Sequence, residues 1–382
     1  MRRTYLDHAS TTPPRPEVLA ALTRWMAMPA ADPGRLHAEG RVVRDALEEA
    51  RDQVATLVGA APREVVFTSG GTEAINAAVW GATRQHPGAP VLFADVEHSA
   101  VREASIRLAP AEVIPVDGTA RIDADALGSR LAAQSRPRPA LVHCQWANHE
   151  VGTLQPVHEI VRLCGAAGVP VHVDAVAACG HVPIDLAALG ADLVSLSGHK
   201  IGGVPGAGAL IVRRGSRFDP LIVGGEQERA RRGGLEAIPA LIGFGAAAAA
   251  LGADDERLLL QEAAHARAHI AALSLAATSV QGVETVGPRD PAQRLPSLLC
   301  LGVHGVEAEP VLIGLDRAGV AVHSGSACSS ESIEPSPVLE AMGVDANNSL
   351  RVSVGWSTTE EDVAAFGTAF AEVVAGLRAL RG

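Results

Sequence analysis

The sequence predicts an α/β fold, in which a mostly parallel seven-stranded sheet is sandwiched by helices and is followed by a smaller α+β domain. Seven apolar runs follow one another between residues 64 and 212, and helical stretches separate most of them. This alternation is typical of a parallel sheet that is covered on both faces. The composition then changes near Gly252-Ala253-Asp254-Asp255. We therefore expect a large domain at 15–252 and a small C-terminal domain at 253–382, joined by the N-terminal segment 1–14.

The individual elements follow from hydrophobic periodicity. Apolar runs predict strands at 64–67, 91–94, 112–116, 140–144, 170–173, 192–196 and 209–212. Helical spacing predicts helices at 17–28, 41–58, 72–86, 98–108, 123–134 and 155–167. For the smaller domain we expect a helix at 254–273, a strand at 297–303, a helix near 307–318, a strand at 349–354 and a last helix. Thr358-Thr359-Glu360-Glu361 predicts a capping box at the start of that last helix.

Composition excludes several classes of protein. The net charge of −11 argues against nucleic-acid binding through a basic face. The N-terminus has no long apolar segment behind it, and the longest apolar stretch, near 246–251, is too short to span a bilayer. The five cysteines are irregularly spaced without a Cys-x-x-Cys, which favours reduced thiols over disulfides or a zinc site. We expect a cytoplasmic protein without metal, membrane or nucleic-acid partners.

The first candidate functional residue is Lys200, in Ser197-Gly198-His199-Lys200 after the strand at 192–196. A lysine at the end of a buried strand is shielded from water. Desolvation lowers the pKa of its amine and makes it a plausible nucleophile for an aldehyde. The alternative is a lysine in a surface hairpin turn.

A second motif, Phe67-Thr68-Ser69-Gly70-Gly71-Thr72, lies between a predicted strand and a predicted helix. Its glycines let the backbone approach a ligand, and the helix N-terminus offers free N–H groups and a positive dipole end, which together suit phosphate. The alternative is a glycine turn with Thr72 as a simple N-cap. No Gly-Lys-Ser/Thr follows, so the motif is not a Walker loop.

Two further polar residues end apolar strands. His98 can lie flat against a planar ring or cap the next helix. Asp174 closes the strand at 170–173, where an unpaired carboxylate is unfavourable, so it needs a cationic partner such as a protonated pyridine nitrogen or an arginine. An amine, a carboxylate, a phosphate site and a stacking imidazole at successive strand ends are the groups that pyridoxal 5'-phosphate requires.

The smaller domain adds a thiol and a guanidinium. Cys328 stands among small polar residues, and a mobile thiol near an electron sink suggests a covalent sulfur or acyl carrier; the alternative is an ordinary surface cysteine. Arg351 lies on a strand, where it can fork onto a substrate carboxylate or form an internal salt bridge. Four cysteines lie in apolar runs or helices and are expected to be inert packing thiols: Cys144, Cys164, Cys179 and Cys300.

With these motifs in place, the chain resembles the cysteine desulfurases, which belong to the class V aminotransferase group of fold-type-I pyridoxal-phosphate enzymes. The resemblance runs nearly end to end. The segments that carry it are Tyr5-Leu6-Asp7, Thr68-Ser69-Gly70-Gly71-Thr72-Glu73, Glu97-His98, Asn148-His149-Glu150, His172-Val173-Asp174-Ala175, Ser197-Gly198-His199-Lys200, Gly224-Gly225-Glu226-Gln227-Glu228-Arg229, Ser324-Gly325-Ser326-Ala327-Cys328 and Ser349-Leu350-Arg351. The segment around Cys328 is similar to the long-loop subgroup, in which the cysteine rides on a flexible loop.

The resemblance implies a role for each site residue. Lys200 would hold the cofactor as a Schiff base and then act as the acid–base, Asp174 would bind the pyridinium nitrogen, and His98 would stack on the ring and assist proton transfer. The residues implied for the phosphate are Gly71, Thr72, Ser197 and His199. Those implied to bind the substrate carboxylate or stand near it are Asn148 and Arg351.

The implied reaction converts L-cysteine to L-alanine. The Cys328 thiolate would attack the substrate sulfur, and the resulting persulfide would pass its sulfur to an acceptor protein. Such enzymes are homodimers whose sites border the subunit interface. The alternatives are a selenocysteine lyase, a C–S lyase acting on another thio-substrate, or a non-catalytic relative retained as a scaffold.

The chain departs from the family pattern at two cofactor contacts. Ala177 stands where the family usually has a glutamine that hydrogen-bonds the phenolic oxygen of the cofactor. Leu235 stands where a threonine from the neighbouring subunit usually reaches the phosphate. Each missing hydrogen bond removes roughly 0.5–1.5 kcal/mol, so we expect weaker cofactor retention or altered cofactor electronics. His149 replaces the second residue of a paired asparagine, which is a smaller change.

Overall fold

The computed structural model describes residues 3–28, 31–324 and 336–380, apart from the side chains of 253–255. The strands are β1 (Thr4–Tyr5), β2 (Val65–Thr68), β3 (Val91–Ala94), β4 (Ala111–Ile114), β5 (Leu141–Gln145), β6 (Val171–Asp174), β7 (Leu193–Ser197), β8 (Gly208–Val212), β9 (Val283–Val286), β10 (Leu298–Val303), β11 (Val320–Ala321), β12 (His323–Ser324) and β13 (Ser349–Ser353). The helices are α1 (Pro16–Met26), α2 (Ala38–Leu57), α3 (Gly71–Gln85), α4 (Ser99–Leu108), α5 (Ala124–Ala132), α6 (Val157–Ala167), α7 (Leu186–Leu189), α8 (Gln227–Ala230), α9 (Ile238–Thr278), α10 (Ala308–Arg317), α11 (Pro337–Ala341) and α12 (Glu360–Ala379).

The seven predicted strands of the large domain form one sheet in the order β2-β8-β7-β6-β5-β3-β4. The five strands from β7 to β4 run parallel to one another, whereas β8 runs antiparallel to both β7 and β2. Every residue of β5, β6 and β7 is buried, as expected where helices cover both faces. The prediction of a mostly parallel seven-stranded sheet is confirmed.

Three adjacent strands, β5, β6 and β7, each extend one residue beyond the predicted end, so that a polar side chain closes each of them. β5 ends at Gln145, β6 at Asp174 and β7 at Ser197. In the register Gln145 lies opposite Asp174, and Asp174 lies opposite Ser195. Apolar periodicity misses the last residue because a polar residue can still form the ladder hydrogen bonds. The parallel register then gathers these polar ends at one edge of the sheet.

The C-terminal part of the chain forms a four-stranded antiparallel sheet, β12-β13-β10-β9, and a parallel pair, β1-β11. The pairing of β1 with β11 attaches the N-terminal segment here, and Leu6 belongs to the same hydrophobic core as Phe366 and Phe370 of α12. The capping box of α12 forms between Thr359 and Asp362. It is one residue later than predicted, because Asp362 supplies the returning carboxylate.

Helix α9 begins at Ile238, well before the predicted start at 254, since alanine-rich sequence carries the helix through 246–250. Its two arms, Ile238–Gly252 and Glu256–Thr278, meet at 82°. The predicted domain boundary falls at this bend, and the division into 15–252 and 253–382 stays a prediction. Among the described residues no single helix is long and apolar enough to cross a membrane; only the two arms of α9 taken together meet that test.

A buried ion pair fixes the segment that follows β8. The Arg51 guanidinium donates to both carboxylate oxygens of Glu228 at 2.7 Å, and the backbone N–H of Phe67 donates to the same carboxylate at 2.8 Å. Glu228, Arg229 and Ala230 have φ values of 49°, 59° and 59°, a left-handed conformation that is unfavourable for residues with a side chain. The ion pair therefore holds three strained residues against the end of β2.

Candidate active site

A cavity of about 280 Å³ opens at the edge of the sheet where β5, β6 and β7 end. It brings together eight residues that the sequence predicted for one site: Gly71, Thr72, His98, Asp174, Ser197, His199, Lys200 and Arg351. These residues come from widely separated positions in the chain, and the parallel register places them around one space. The convergence agrees with the expectation that functional groups gather at strand ends.

Lys200 is the single lysine of the 382-residue sequence. It stands in the short turn Gly198–Lys200 that follows β7 directly, and its side chain is partly buried along the cavity. The amine donates hydrogen bonds to the carbonyl oxygens of Ala9 and of Ser10, the latter at 2.9 Å. Lys200 therefore does not lie in the surface hairpin turn that the sequence left open, and the N-terminal segment positions its amine.

Asp174 lies at the end of β6 with 7% of its surface exposed. One carboxylate oxygen accepts the backbone N–H of Val176 at 3.0 Å. Within the described ranges no lysine, arginine or histidine lies within 4.0 Å of this carboxylate. Burial raises the pKa of Asp174, and the Val176 N–H, His98 and Lys200 oppose that rise. The arginine partner that the sequence allowed is therefore not found here, and the carboxylate faces the cavity.

The N-terminus of α3 forms one end of the cavity. The helix is capped by Gly70 without a side-chain hydrogen bond, so Thr72 is not the N-cap, and its side chain is exposed in the first turn. A Cβ at position 71 would lie 2.7 Å from the Val176 side chain. Any residue larger than glycine would therefore clash with Val176. The Ser197 hydroxyl is buried with no hydrogen-bond partner in the described structure. Free helix N–H groups beside an unpartnered hydroxyl suit an anion such as phosphate.

His199 borders the same end of the cavity. Its Nδ1 lies 3.2 Å from the Thr11 hydroxyl. Burial, with a smaller effect from the neighbouring Lys200, lowers the pKa of His199 to about 4. The ring is therefore neutral at physiological pH, and it can hydrogen-bond an anion without adding charge to the site.

His98 caps α4 and also lines the cavity, and its stacking on a planar ring stays a prediction. Its Nδ1 accepts the backbone N–H of Ala100 at 3.1 Å. Burial lowers the pKa of His98 below 6.5, which favours the neutral ring at physiological pH. Because Nδ1 is an acceptor, the ring proton of the neutral form lies on Nε2, where it can be donated.

His149 lines the cavity, although the sequence assigned it no role. Its ring packs edge-on against His98, with the centroids 5.1 Å apart and the planes at 64°. Burial, followed by the charges of His98, Arg351, Lys200 and Arg102, lowers the pKa of His149 well below 6.5. A neutral imidazole therefore restricts the movement of the His98 ring. In the sequence, this role was signalled by a histidine at a position where the family has an asparagine.

Glu97 is a second buried acid that the sequence left without a role. It is 1% exposed, one oxygen accepts the Gln145 backbone N–H at 2.8 Å, and the other has no partner in the described structure. Burial, with a smaller effect from Asp174, raises the pKa of Glu97 from 4.5 to about 8. Glu97 is therefore mostly protonated at pH 7.

Arg351 is 2% exposed and lines the cavity. It donates to the carbonyl oxygen of His149 at 3.0 Å, to the Asp7 carboxylate at 3.0 Å and to the Ser10 hydroxyl at 2.7 Å. The internal salt bridge that the sequence allowed is present. The Nε–H donates to no partner in the described structure, and the predicted binding of a substrate carboxylate stays a prediction.

Asn148 is fully buried and is not among the residues that line the cavity. Its amide nitrogen donates to the Val96 carbonyl at 3.0 Å, and its amide oxygen accepts the backbone N–H groups of Glu150 and Val151. These contacts position the turn that presents His149. The predicted contact with substrate stays a prediction, and the geometry gives Asn148 a structural role.

Cys328 lies outside the described residues. The four cysteines expected to be inert are all buried, and burial raises the pKa values of three of them to about 12: Cys164, Cys179 and Cys300. Burial likewise raises the pKa of Cys144 well above 9.0. The four are therefore buried as packing thiols are, and their expected lack of reactivity stays a prediction.

The two departures from the family pattern occupy different places. Ala177 lines the cavity, where its methyl group offers no hydrogen bond. Leu235 is 62% exposed and is not among the lining residues. The expected effect of both residues on cofactor retention stays a prediction.

Comparison with known proteins identifies the class that this fold and site define. The family model described as aminotransferase class-V matches residues 4–366. The chain belongs to that family, and within it to the cysteine desulfurases. It is 39% identical to the cysteine desulfurase of Cereibacter sphaeroides, over 100% of this chain and 98% of that protein. It is 38% identical to the cysteine desulfurase NifS of Azotobacter vinelandii, over 95% of this chain and 90% of that protein.

Solved structures agree with this assignment. The NifS-like protein from Rickettsia africae superposes with a TM-score of 0.88 at 30% identity, covering 98% of this chain and 100% of that one. The predicted resemblance and the predicted fold class are therefore confirmed.

We expect Glu97→Gln to stabilise the protein increasingly as pH rises. The pKa of Glu97 is higher in the folded protein than its ordinary 4.5. Its contribution to stability is therefore complete below pH 4.5 and is lost as pH rises towards 8. Glutamine has no such dependence, so the gain in unfolding free energy should grow between pH 5 and 8 by up to about 1.4 kcal/mol per pH unit, measured by urea denaturation.

Glu73→Gln is the matched control. The pKa of Glu73 is lowered despite its burial, because Arg232 and Ser69 bind its carboxylate. This variant should lose stability by a constant amount over the same pH range. A pH-independent difference for Glu97→Gln would contradict the assignment of a protonated Glu97.

Proposed function

We propose that this protein is a pyridoxal 5'-phosphate-dependent cysteine desulfurase. It converts L-cysteine to L-alanine and passes the sulfur, through a persulfide on Cys328, to an acceptor protein. Membership of the cysteine desulfurase family and the convergence of Lys200, Asp174 and His98 on one cavity support this proposal.

The environment of Asp174 gives this proposal its main support. A buried carboxylate that faces a cavity without a protein cation is unfavourable unless a ligand supplies the positive charge. The protonated pyridine nitrogen of the cofactor is such a cation. The unpartnered hydroxyl of Ser197 and the N-terminus of α3 suit its phosphate, and Lys200 suits its aldehyde. The residues present therefore fit this group.

When bound, the pyridine ring supplies an electron sink that makes the substrate Cα–H acidic and weakens the Cβ–S bond. The Lys200 amine would hold the cofactor and would serve as the base that takes the proton from the substrate Cα. The carbonyl oxygens of Ala9 and Ser10, which accept hydrogen bonds from this amine, orient it along the cavity. The Nε2–H of His98 is available for donation into the cavity.

The sulfur transfer needs no reactant other than L-cysteine and the Cys328 thiolate. The Cys328 thiolate forms an S–S bond with the substrate sulfur while the substrate Cβ–S bond breaks. The electron pair of that bond stays on carbon, and protons returned through Lys200 and His98 complete the methyl group and Cα of L-alanine. Arg351, which lines the cavity, would orient the substrate carboxylate.

We also propose a cytoplasmic homodimer as the working form, in keeping with the family resemblance and with the apolar side chains that this chain exposes, among them Val223 at 74% and Leu235 at 62%. The acceptor is a protein that takes the sulfur from the Cys328 persulfide.

Asp174→Asn should have opposite effects on the cofactor-free and the loaded protein. Without cofactor the substitution removes an unpaired buried carboxylate whose pKa is raised above its ordinary 3.8, so the melting temperature should rise, and more so as pH increases above 3.8. With pyridoxal 5'-phosphate the asparagine cannot pair with the ring nitrogen, so the increase in melting temperature on loading should shrink. Thermal unfolding with and without the cofactor measures both effects.

The control is Asp192→Asn, which removes a carboxylate that binds Arg213 and the Val171 N–H outside the cavity. It should lower the melting temperature equally in both states. An equal effect of Asp174→Asn in both states would contradict a pairing with the cofactor.

Cys328→Ala should abolish cysteine-dependent sulfide release, because no other thiol among the described cysteines is exposed. The assay supplies L-cysteine and a thiol reductant and measures sulfide and alanine together. Cys179→Ala, at a buried thiol, should retain turnover close to that of the unmodified protein. Equal turnover in Cys328→Ala would rule out the persulfide route, and release of neither product by the unmodified protein would rule out the desulfurase function.

A further inference from the structure

The end of β5 places a polar side chain beside Asp174. Gln145 is the last residue of β5 and lies directly opposite Asp174 in the parallel register. Both side chains line the same cavity, as does Ser197 at the end of β7. Three adjacent strands therefore present an amide, a carboxylate and a hydroxyl in a row along one wall.

The orientation of the Gln145 amide is fixed. Its nitrogen donates to the Val96 carbonyl oxygen at 2.9 Å, and the reverse orientation would set two oxygens against each other. The backbone N–H of Gln145 is held by Glu97 at 2.8 Å. The side chain is 2% exposed, and its amide oxygen accepts no hydrogen bond from the described residues. An amide oxygen that borders a cavity and receives no hydrogen bond from the protein can accept one from a ligand bound there.

The remainder of this wall is apolar. Ile75, Ala147, Val176 and Ala177 line the cavity and contribute no polar side-chain atom. An N–H or O–H group of a planar ring bound beside Asp174 would find the Gln145 oxygen as the neighbouring side-chain acceptor on this wall.

We propose that Gln145 is a cofactor-binding residue, whose amide oxygen accepts a hydrogen bond from the ring of pyridoxal 5'-phosphate on the wall where Ala177 offers none. This inference rests on the proposed function. It adds a residue to the site, and it identifies the chemistry of the contact: an acceptor that favours the protonated form of the ring group it faces.

The test is a double-mutant cycle at positions 145 and 177. The proteins are the unmodified chain, Gln145→Met, Ala177→Gln and the double variant, each stripped of cofactor. The readouts are the dissociation constant of pyridoxal 5'-phosphate, measured by absorbance titration, and the pH midpoint of the absorption of the bound cofactor. Neither readout depends on turnover.

We expect Gln145→Met to raise the dissociation constant roughly 3- to 10-fold, the loss of one hydrogen bond, and to lower the pH midpoint, because the protonated form loses its acceptor. In the Ala177→Gln background the same substitution should have a smaller effect, since a second amide is present. Gln155→Met is the matched control: this glutamine is also buried and also binds backbone, at Ala120 and Ile122, but outside the cavity. It should leave both readouts unchanged.

Unchanged affinity and midpoint in Gln145→Met, or equal losses in both backgrounds, would overturn the inference. Gln145→Leu provides the same test if the methionine variant does not fold. These outcomes differ from failure of the proposed function, in which the unmodified protein itself would not bind pyridoxal 5'-phosphate.

Discussion

The burial of the Asp174 carboxylate without a protein cation is the constraint on which the rest of this site depends. It sits where β6 ends, faces a cavity, and has no cation within salt-bridge distance among the described residues. Burial without a partner is destabilising by itself, so the site is one that a cationic ligand completes. The lysine, the helix N-terminus and the neutral imidazoles around it all fit one such ligand.

The protonation states of the surrounding groups support this arrangement. Burial lowers the pKa values of His98, His149 and His199, and raises that of Glu97 to about 8. Near neutral pH these groups therefore add little charge to the site. Asp174, Lys200 and Arg351 line the same cavity, and Arg351 is paired with Asp7. Asp174 is thus the carboxylate available to a bound ring.

Much of this could be predicted from the sequence because strand ends in a parallel sheet converge. Lys200, Asp174 and His98 each end or follow an apolar run, so periodicity alone placed them at one edge of the sheet. Periodicity could not show which side chains point into the cavity. Asn148 and Gln145 both follow the β5 apolar run, yet Asn148 binds backbone while Gln145 lines the cavity. That difference depends on where the strand ends, one residue later than the last apolar side chain.

The roles of Glu97 and His149 could not be predicted for a related reason. Each stands beside a residue whose function the sequence made plain, and its own effect depends on burial and on a through-space neighbour, Gln145 for Glu97 and His98 for His149. The sequence alone shows neither the burial of a residue nor its neighbour in space. The capping box of α12 shows the same limit on a smaller scale, since Thr359 rather than Thr358 caps the helix.

Because Lys200 is the single lysine in the sequence, the central claim can be tested with little ambiguity. The protein is loaded with pyridoxal 5'-phosphate, the imine is reduced with borohydride, and the modified peptide is located by mass spectrometry. We expect one adduct, on Lys200, and no reduced adduct in Lys200→Ala. An adduct confined to the N-terminal amine, or no adduct in the unmodified protein, would contradict the assignment of this cavity as the cofactor site.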